Sequence, residues 1–344
     1  MKTRANFLPT ISTPAVALGL ALLAFTGCQT AQNLSDAISD CGPGRPDALA
    51  DLRAAMTLHA PFDHGTKASF ALGDPVLYTA PASNQRTNAV PGLPEGDLVQ
   101  IATGEGRYGD ALRFTKKMKP IVFFRGATNL AFRATNWSGS ASFWMRLNPD
   151  KDLEPGYCDP LQFVAQAWGE GNMFVEFSKD HTPRHFRYAI MPVTRLWNPD
   201  NRKWEEIPDP QRPMVPVYKP PFSREQWTHV LFTFANANTG QKDGIGKLYL
   251  NGELQGSFTG FETGFNWDVA QSAITFGLNY VGLFDDLTVF NRALTADEVK
   301  TVYKLHNGAT DLLQKKKECV FRCLKARLWA GGQCSCCRGG GAGK

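Results

Sequence analysis

The segment Lys247 to Gln255 reads KLYLNGELQ, two alternating apolar–polar runs hinged on Asn251-Gly252. An Asn-Gly pair accepts the two successive positive φ angles of a type I′ turn, whose twist matches that of paired strands. This predicts a β-hairpin. The same period of two returns at Ala141 to Leu147, where Ala141, Phe143, Met145 and Leu147 face one way and Ser142, Trp144 and Arg146 the other. Further short strands are predicted at the start of 55–72, running into a turn at Asp63-His64-Gly65, and at 109–114, 161–168, 172–177, 185–190, 227–234, 273–278 and 283–290. Residues 73–97, rich in Gly, Pro, Asn and Ser, read as a long surface loop. Residues 192–221 hold eight prolines in 30 positions. Proline cannot donate to a ladder, so this stretch is expected as a large loop or edge insertion. Thr295-Ala296-Asp297-Glu298 is a capping box followed by Val299, Val302 and Tyr303, and predicts one short C-terminal helix. No long helices alternate with the strands, which argues against a parallel α/β fold. The expected class is all-β, an antiparallel sandwich of two sheets.

Composition sharpens this at the ends. Of the total charge of +5, residues 315–344 carry +7 from eight Lys/Arg against Glu318, which leaves the rest near neutral at −2. That balance points to no nucleic-acid partner. At the other end Lys2 and Arg4 precede an 11-residue apolar run, Ala15 to Phe25. It is shorter than the roughly 20 residues a membrane helix needs and fits the core of an export signal. The run closes on Phe25-Thr26-Gly27-Cys28, similar to a bacterial lipobox, so Cys28 is the expected lipidation site and an envelope membrane the expected anchor point. The chain then divides into a signal over 1–28, a tether over 29–54, the sandwich over 55–308 and a basic, Cys-rich tail over 309–344. Export permits disulfides. Five of the eight cysteines fall in the last 26 residues, and the sandwich holds only Cys158. Within the tail, Val320, Phe321, Leu324, Leu328 and Trp329 beside basic residues suit either a surface-binding amphipathic helix or an unstructured appendix.

Four motifs follow one another along the body: Gly109-Asp110-Ala111-Leu112-Arg113-Phe114; Ala141-Ser142-Phe143-Trp144-Met145; Trp227-Thr228-His229-Val230 with Leu248-Tyr249-Leu250-Asn251-Gly252; and Phe284-Asp285-Asp286-Leu287-Thr288-Val289-Phe290-Asn291-Arg292-Ala293-Leu294. In this order they resemble the laminin-G-like branch of the concanavalin A-like lectin/glucanase superfamily, over about residues 55–308. The resemblance implies a jelly-roll sandwich. It also implies a structural Ca²⁺, expected here between Asp63, the Gly65 carbonyl and Asp286, because hard oxygen donors suit that ion. Asp285 is expected to share a face with Leu287 and Val289, and Asp286 to point the other way.

The fold does not determine an activity. The paired acids of a glucanase strand, E-x-D-x-x-E, do not occur, nor do a G-x-S-x-G elbow or an H-E-x-x-H helix. His181 and His185 have helical ligand spacing, but Pro183 between them argues against a helix. The expected function is therefore a non-catalytic binding module for glycan or protein ligands at the envelope. A structural envelope protein is the alternative, and a glycan-active enzyme using Asp159, Asp180, His185 and Arg187 the third. The candidate ligand residues are Trp197 and Trp204, set among polar residues of the Pro-rich insertion, with Asp159, His185 and Arg187. Both tryptophans suit either sugar stacking or the pinning of a long loop.

Overall fold

The computed structural model describes residues 49–314, apart from 166 and 167. The expected signal, Cys28 and the basic tail lie outside the described residues. The described chain forms two antiparallel sheets packed face to face. The first sheet runs β15 (Glu253–Phe261), β14 (Gly244–Leu250), β13 (Thr228–Ala237), β8 (Trp137–Arg146), β17 (Gly282–Phe290), β1 (Met56–Ala60) and β2 (Phe70–Ala71). β6 (Ala111–Phe114) also pairs with β17, and β5 (Val99–Ala102) pairs with β6. The second sheet runs β12 (Met214–Val217), β11 (Phe186–Met191), β10 (Asn172–Phe177), β9 (Cys158–Val164), β16 (Ala273–Leu278), β7 (Ile121–Arg125), β3 (Leu77–Ala80) and β4 (Val90–Pro91). Short helices α1 (Ala50–Ala55), α2 (Pro149–Asp152), α3 (Thr194–Trp197), α4 (Ala296–Tyr303) and α5 (Thr310–Leu313) lie outside the sheets, with α4 the longest.

The alternation in the sequence becomes the core. Phe143, Met145, Val230, Phe232 and Leu248 of the first sheet meet Phe163, Val175, Phe177, Tyr188 and Phe276 of the second in one buried cluster. Trp137 is wholly buried, with Phe132, Phe234, Phe265 and Trp267 around its ring, and its Nε1–H donates to the Leu130 carbonyl at 3.2 Å. Replacing such a side chain by alanine costs about 3–5 kcal/mol. The hairpin turn has φ of 52° at Asn251 and 79° at Gly252, as its residues demand. At Gly277, φ is 79° and a Cβ would stand 1.9 Å from the Phe114 ring, so only glycine fits.

A third layer covers part of the outer face of the first sheet. Leu52 and Ala55 of α1, Val299 and Val302 of α4 and Leu312 of α5 bury Met56, Leu231, Tyr249 and Phe290. The helix predicted after Thr295 is there, and both halves of its capping box form between Thr295 and Glu298. Ordered structure overruns the expected boundaries: α1 starts within the tether, and α5 lies beyond residue 308. The stretch 73–97 also departs from expectation. It contains β3 and β4, the far edge of the second sheet. Four- and two-residue strands are too short for their alternation to stand out from the Gly/Pro-rich sequence around them. The Pro-rich insertion does lie at an edge. Its β12 forms the opposite border of the second sheet, where the missing N–H of Pro216 is tolerated.

Candidate functional site

On β11, Phe186, Tyr188 and Ile190 enter the core, so His185, Arg187, Ala189 and Met191 face away from it. On β10, Met173, Val175 and Phe177 point inward, leaving Phe174 and Glu176 outward. On β9 a register shift at Asp159-Pro160 separates inward Cys158 from inward Leu161 and leaves Asp159 and Gln162 outward. The insertion folds back over this outer face. Trp197 and Trp204, their rings 5.9 Å apart, pack on Phe174, Ala189, Met191 and Met214. Both indoles are half-buried. They pin the insertion to the sheet and leave part of each ring accessible.

The five candidate ligand residues, widely spaced in the sequence, thus lie on one face of one sheet. Glu176 stands directly across from Arg187 in the β10–β11 register. Arg187 Nη2 is 2.6 Å from Glu176 Oε1, an ion contact outside hydrogen-bond alignment. The Arg187 guanidinium lies 5.5 Å from the Tyr157 ring and 5.8 Å from the Trp204 ring. Arg212 stacks on Trp204 at 4.1 Å, donates to its carbonyl and pairs with Asp209 at 3.0 Å. Lys179 joins Glu205 at 3.0 Å and reaches over Tyr157 at 5.5 Å. Asp159 Oδ2 accepts from Gln162 Nε2 at 2.5 Å, and Thr275 donates to Gln162 Oε1 at 3.3 Å. His185 sits at the rim, stacked on His181 at 3.7 Å and edge-on to Tyr218 at 4.9 Å. Asp180 is exposed beside Lys179.

Burial dominates the electrostatics. It pushes the Asp159 carboxyl well up, and the Glu176 charge adds to that. Burial likewise lifts Glu176 to about 7 against the opposing pull of Arg187. Four buried polar atoms in this cluster lack a hydrogen-bond partner: Asp159 Oδ1, Arg187 Nε and Nη2, and Arg212 Nε. Buried polar groups are costly when unmatched, so these atoms mark a strained polar layer beneath the insertion. Tyr157, Glu176, Lys179, Gln162 and Arg212 were not singled out from the sequence. The outward parity of Glu176 on its strand was readable there, but its pairing with Arg187 depends on register.

The paired acids behave differently from expectation. A bulge falls at Asp285-Asp286, where Asp286 has φ of 54°. The extra residue turns Asp285 away from Leu287 and Val289, which stay in the core, and leaves both acids outside it. The loop 104–110 is fastened from two sides: Asp285 Oδ2 accepts from the N–H groups of Arg107 (2.7 Å) and Tyr108 (3.2 Å), and Asp63 Oδ1 from Asp110 (2.9 Å). Asp286 is engaged elsewhere, against the Ala309 N–H and 3.8 Å from His59. Asp63 and Asp286 each already have a backbone N–H partner, Asp110 and Ala309 respectively. Among the described residues no group of three His, Cys, Asp or Glu side chains is placed to hold a metal. Asp63 and Asp285 front the same loop. Burial raises Asp285 to about 8, with the Asp63 charge adding to it.

Two antiparallel sheets, the closing strand with its Asn-Arg-Ala-Leu exit and the capping helix define a concanavalin A-like sandwich. The chain belongs to the Laminin_G_3 family of the concanavalin A-like lectin/glucanases superfamily, whose model matches residues 126–300. Among curated proteins none matches. Domain 4 of AbnA, a GH43 extracellular arabinanase from Geobacillus stearothermophilus solved in complex with arabinotriose, is 17% identical with a TM-score of 0.45, covering 76% of this chain and 100% of that one. The botulinum neurotoxin serotype D binding domain is 17% identical with a TM-score of 0.47, covering 75% of this chain and 52% of that one. The binding domain of botulinum neurotoxin DC, in complex with rat synaptotagmin II, is 13% identical with a TM-score of 0.47, covering 73% and 51%.

Proposed function

We propose that the protein is an exported, non-catalytic binding module that takes a carbohydrate on the outer face of β9–β12. The observation that carries this reading is the convergence of Trp204, Tyr157, Arg187, Glu176 and Asp159 beneath the insertion. A sugar offers C–H faces to aromatic rings and hydroxyls that both donate and accept. It matches a site of half-buried rings beside charged and amide groups. A glycan array probed with the full chain, alongside Trp204→Ala and Tyr157→Ala, tests this. Binding should fall about tenfold in each variant, equivalent to about 1.4 kcal/mol. Wild-type protein that binds no glycan removes the reading.

One observation favours a second reading. Asp159 and Glu176 are two carboxyl groups on the adjacent strands β9 and β10, the kind of pair from which a glycosidase is built. Hydrolysis of a bound glycan, abolished by Asp159→Asn and Glu176→Gln, would replace binding with catalysis.

Export and anchoring belong to the same proposal. The mature protein should carry a diacylglycerol on Cys28, visible in its intact mass and lost in Cys28→Ser. Calcium enters in altered form, as a hard cation served by Asp63 and Asp285 instead of Asp286.

A further inference from the structure

A groove of about 400 Å³ opens on the first sheet, lined by Glu105, Arg113, Phe114, Arg146, Val281 and Leu283 among others. This is within the usual range of small-ligand pockets, about 300–1,000 Å³. Strand register builds it. Leu283 of β17 is paired with Arg113 of β6 on one side and with Arg146 of β8 on the other. Their neighbours Leu112, Phe114, Met145 and Phe284 enter the core, so Arg113, Leu283 and Arg146 form one outward row. With strands about 4.8 Å apart, the two arginine backbones stand about 10 Å from each other across the leucine.

The charge in this row is unbalanced. Glu105, from the loop after β5, serves both guanidiniums: it closes on Arg113 and lies 3.8 Å from Arg146. Arg224 at the rim is already joined to Asp152. Two arginines thus share one carboxylate that is about half exposed (47%). Exposed ion pairs are worth about 0–1 kcal/mol, so an incoming anion can displace Glu105 at little cost. The Arg146 guanidinium also lies 5.2 Å from the ring of Trp227, which packs against Leu283. The floor is apolar and the walls cationic. Both flanks of β17 here are paired, and β6 is covered by β5, so no strand edge opens between Arg113 and Arg146.

We propose that this groove binds a carboxylate-bearing sugar residue, a uronate of an acidic polysaccharide. Arg113 and Arg146 receive the carboxylate, Glu105 is the internal anion it displaces, and the ring lies over Leu283. This site stands apart from the one beneath the insertion.

Calorimetry on the full chain tests it with oligogalacturonate, the methyl ester of the same oligomer and a sulfated neutral oligosaccharide. The acid should bind at least about tenfold more tightly than its ester, because the ester cannot make the charge-assisted contacts. Arg113→Ala and Arg146→Ala should each weaken binding by about fivefold or more, and Glu105→Gln should strengthen it by about two- to fivefold. Trp204→Ala, at the site beneath the insertion, distinguishes uronate bound there from uronate bound in the groove. All four residues are at least partly exposed, and far-UV dichroism with a melting curve verifies that each variant folds. Equal affinity for acid and ester overturns the proposal. So does weaker binding by Glu105→Gln, a preference for the sulfated sugar, a loss of binding confined to Trp204→Ala, or no binding of uronate.

Discussion

His229 illustrates how a reactive-looking pair can be purely structural. Its Nε2 lies 2.8 Å from Ser142 Oγ, the spacing of a nucleophile and its base. Both residues are buried, with the ring between Trp144 at 4.8 Å and Tyr303 of α4 at 5.6 Å, so no substrate reaches the hydroxyl. Burial pushes the imidazole down to about 3, and the charge of Arg107 adds to this. The unfolded ring titrates near 6.5, so protonation favours the unfolded chain. The contribution is intact above about pH 6.5 and is lost as pH falls toward 3, at about 1.4 kcal/mol per pH unit. His59, buried and lowered to about 4, acts in the same direction. Urea unfolding at pH 7, 5.5 and 4.5 should therefore show a smaller loss of stability on acidification in His229→Gln than in the wild type. Parallel losses would refute the assignment.

At the scale of elements, β17 governs the first sheet. It pairs with β8 along one flank, while on the other Gly282–Phe284 pairs with β6 and Leu287–Phe290 with β1. The bulge at Asp285-Asp286 is where it passes from one partner to the next. The two carboxylates displaced there serve opposite ends of the junction, Asp285 the 104–110 loop and Asp286 the segment at Ala309. If calcium sits with Asp63 and Asp285, it relieves the repulsion between them and stiffens this loop. The melting temperature should then rise with millimolar calcium, fall back with chelator and become calcium-insensitive in Asp63→Asn. A wild-type melting curve indifferent to calcium would rule this out. The third layer, α1, α4 and α5, covers the outward face of the same sheet around Met56, Leu231, Tyr249 and Phe290, and leaves the row at Arg113, Leu283 and Arg146 uncovered.

For the molecule as a whole, the sandwich places its two candidate surfaces on different sheets. One lies beneath the Pro-rich insertion, the other in the arginine row beside the 104–110 loop. The insertion was legible as an edge element because eight prolines cannot be accommodated within a ladder. Its two tryptophans were legible as candidates from their polar loop context. That they share a face with Asp159, His185 and Arg187 was not, because β9, β11 and the insertion meet only through the register of the second sheet. The arginine row left no linear signal either. Arg113, Arg146 and Leu283 come from three strands spread over more than half the described chain, and each alone reads as an ordinary strand residue.

The sequence by itself determined the strands around 141–147, 227–234 and 283–290, where the hairpin turns and where the helix after Thr295 begins. Period-two burial, the φ demands of Asn251-Gly252 and the Thr295–Glu298 cap are local consequences of backbone sterics and hydrogen bonding. Only the tertiary structure decided which acid faces which loop, because one extra residue at Asp286 reverses the parity that the pattern predicts. It also decided which charges converge on a ligand surface, since cross-strand pairing and the docking of an insertion are set by contacts between residues far apart in the chain.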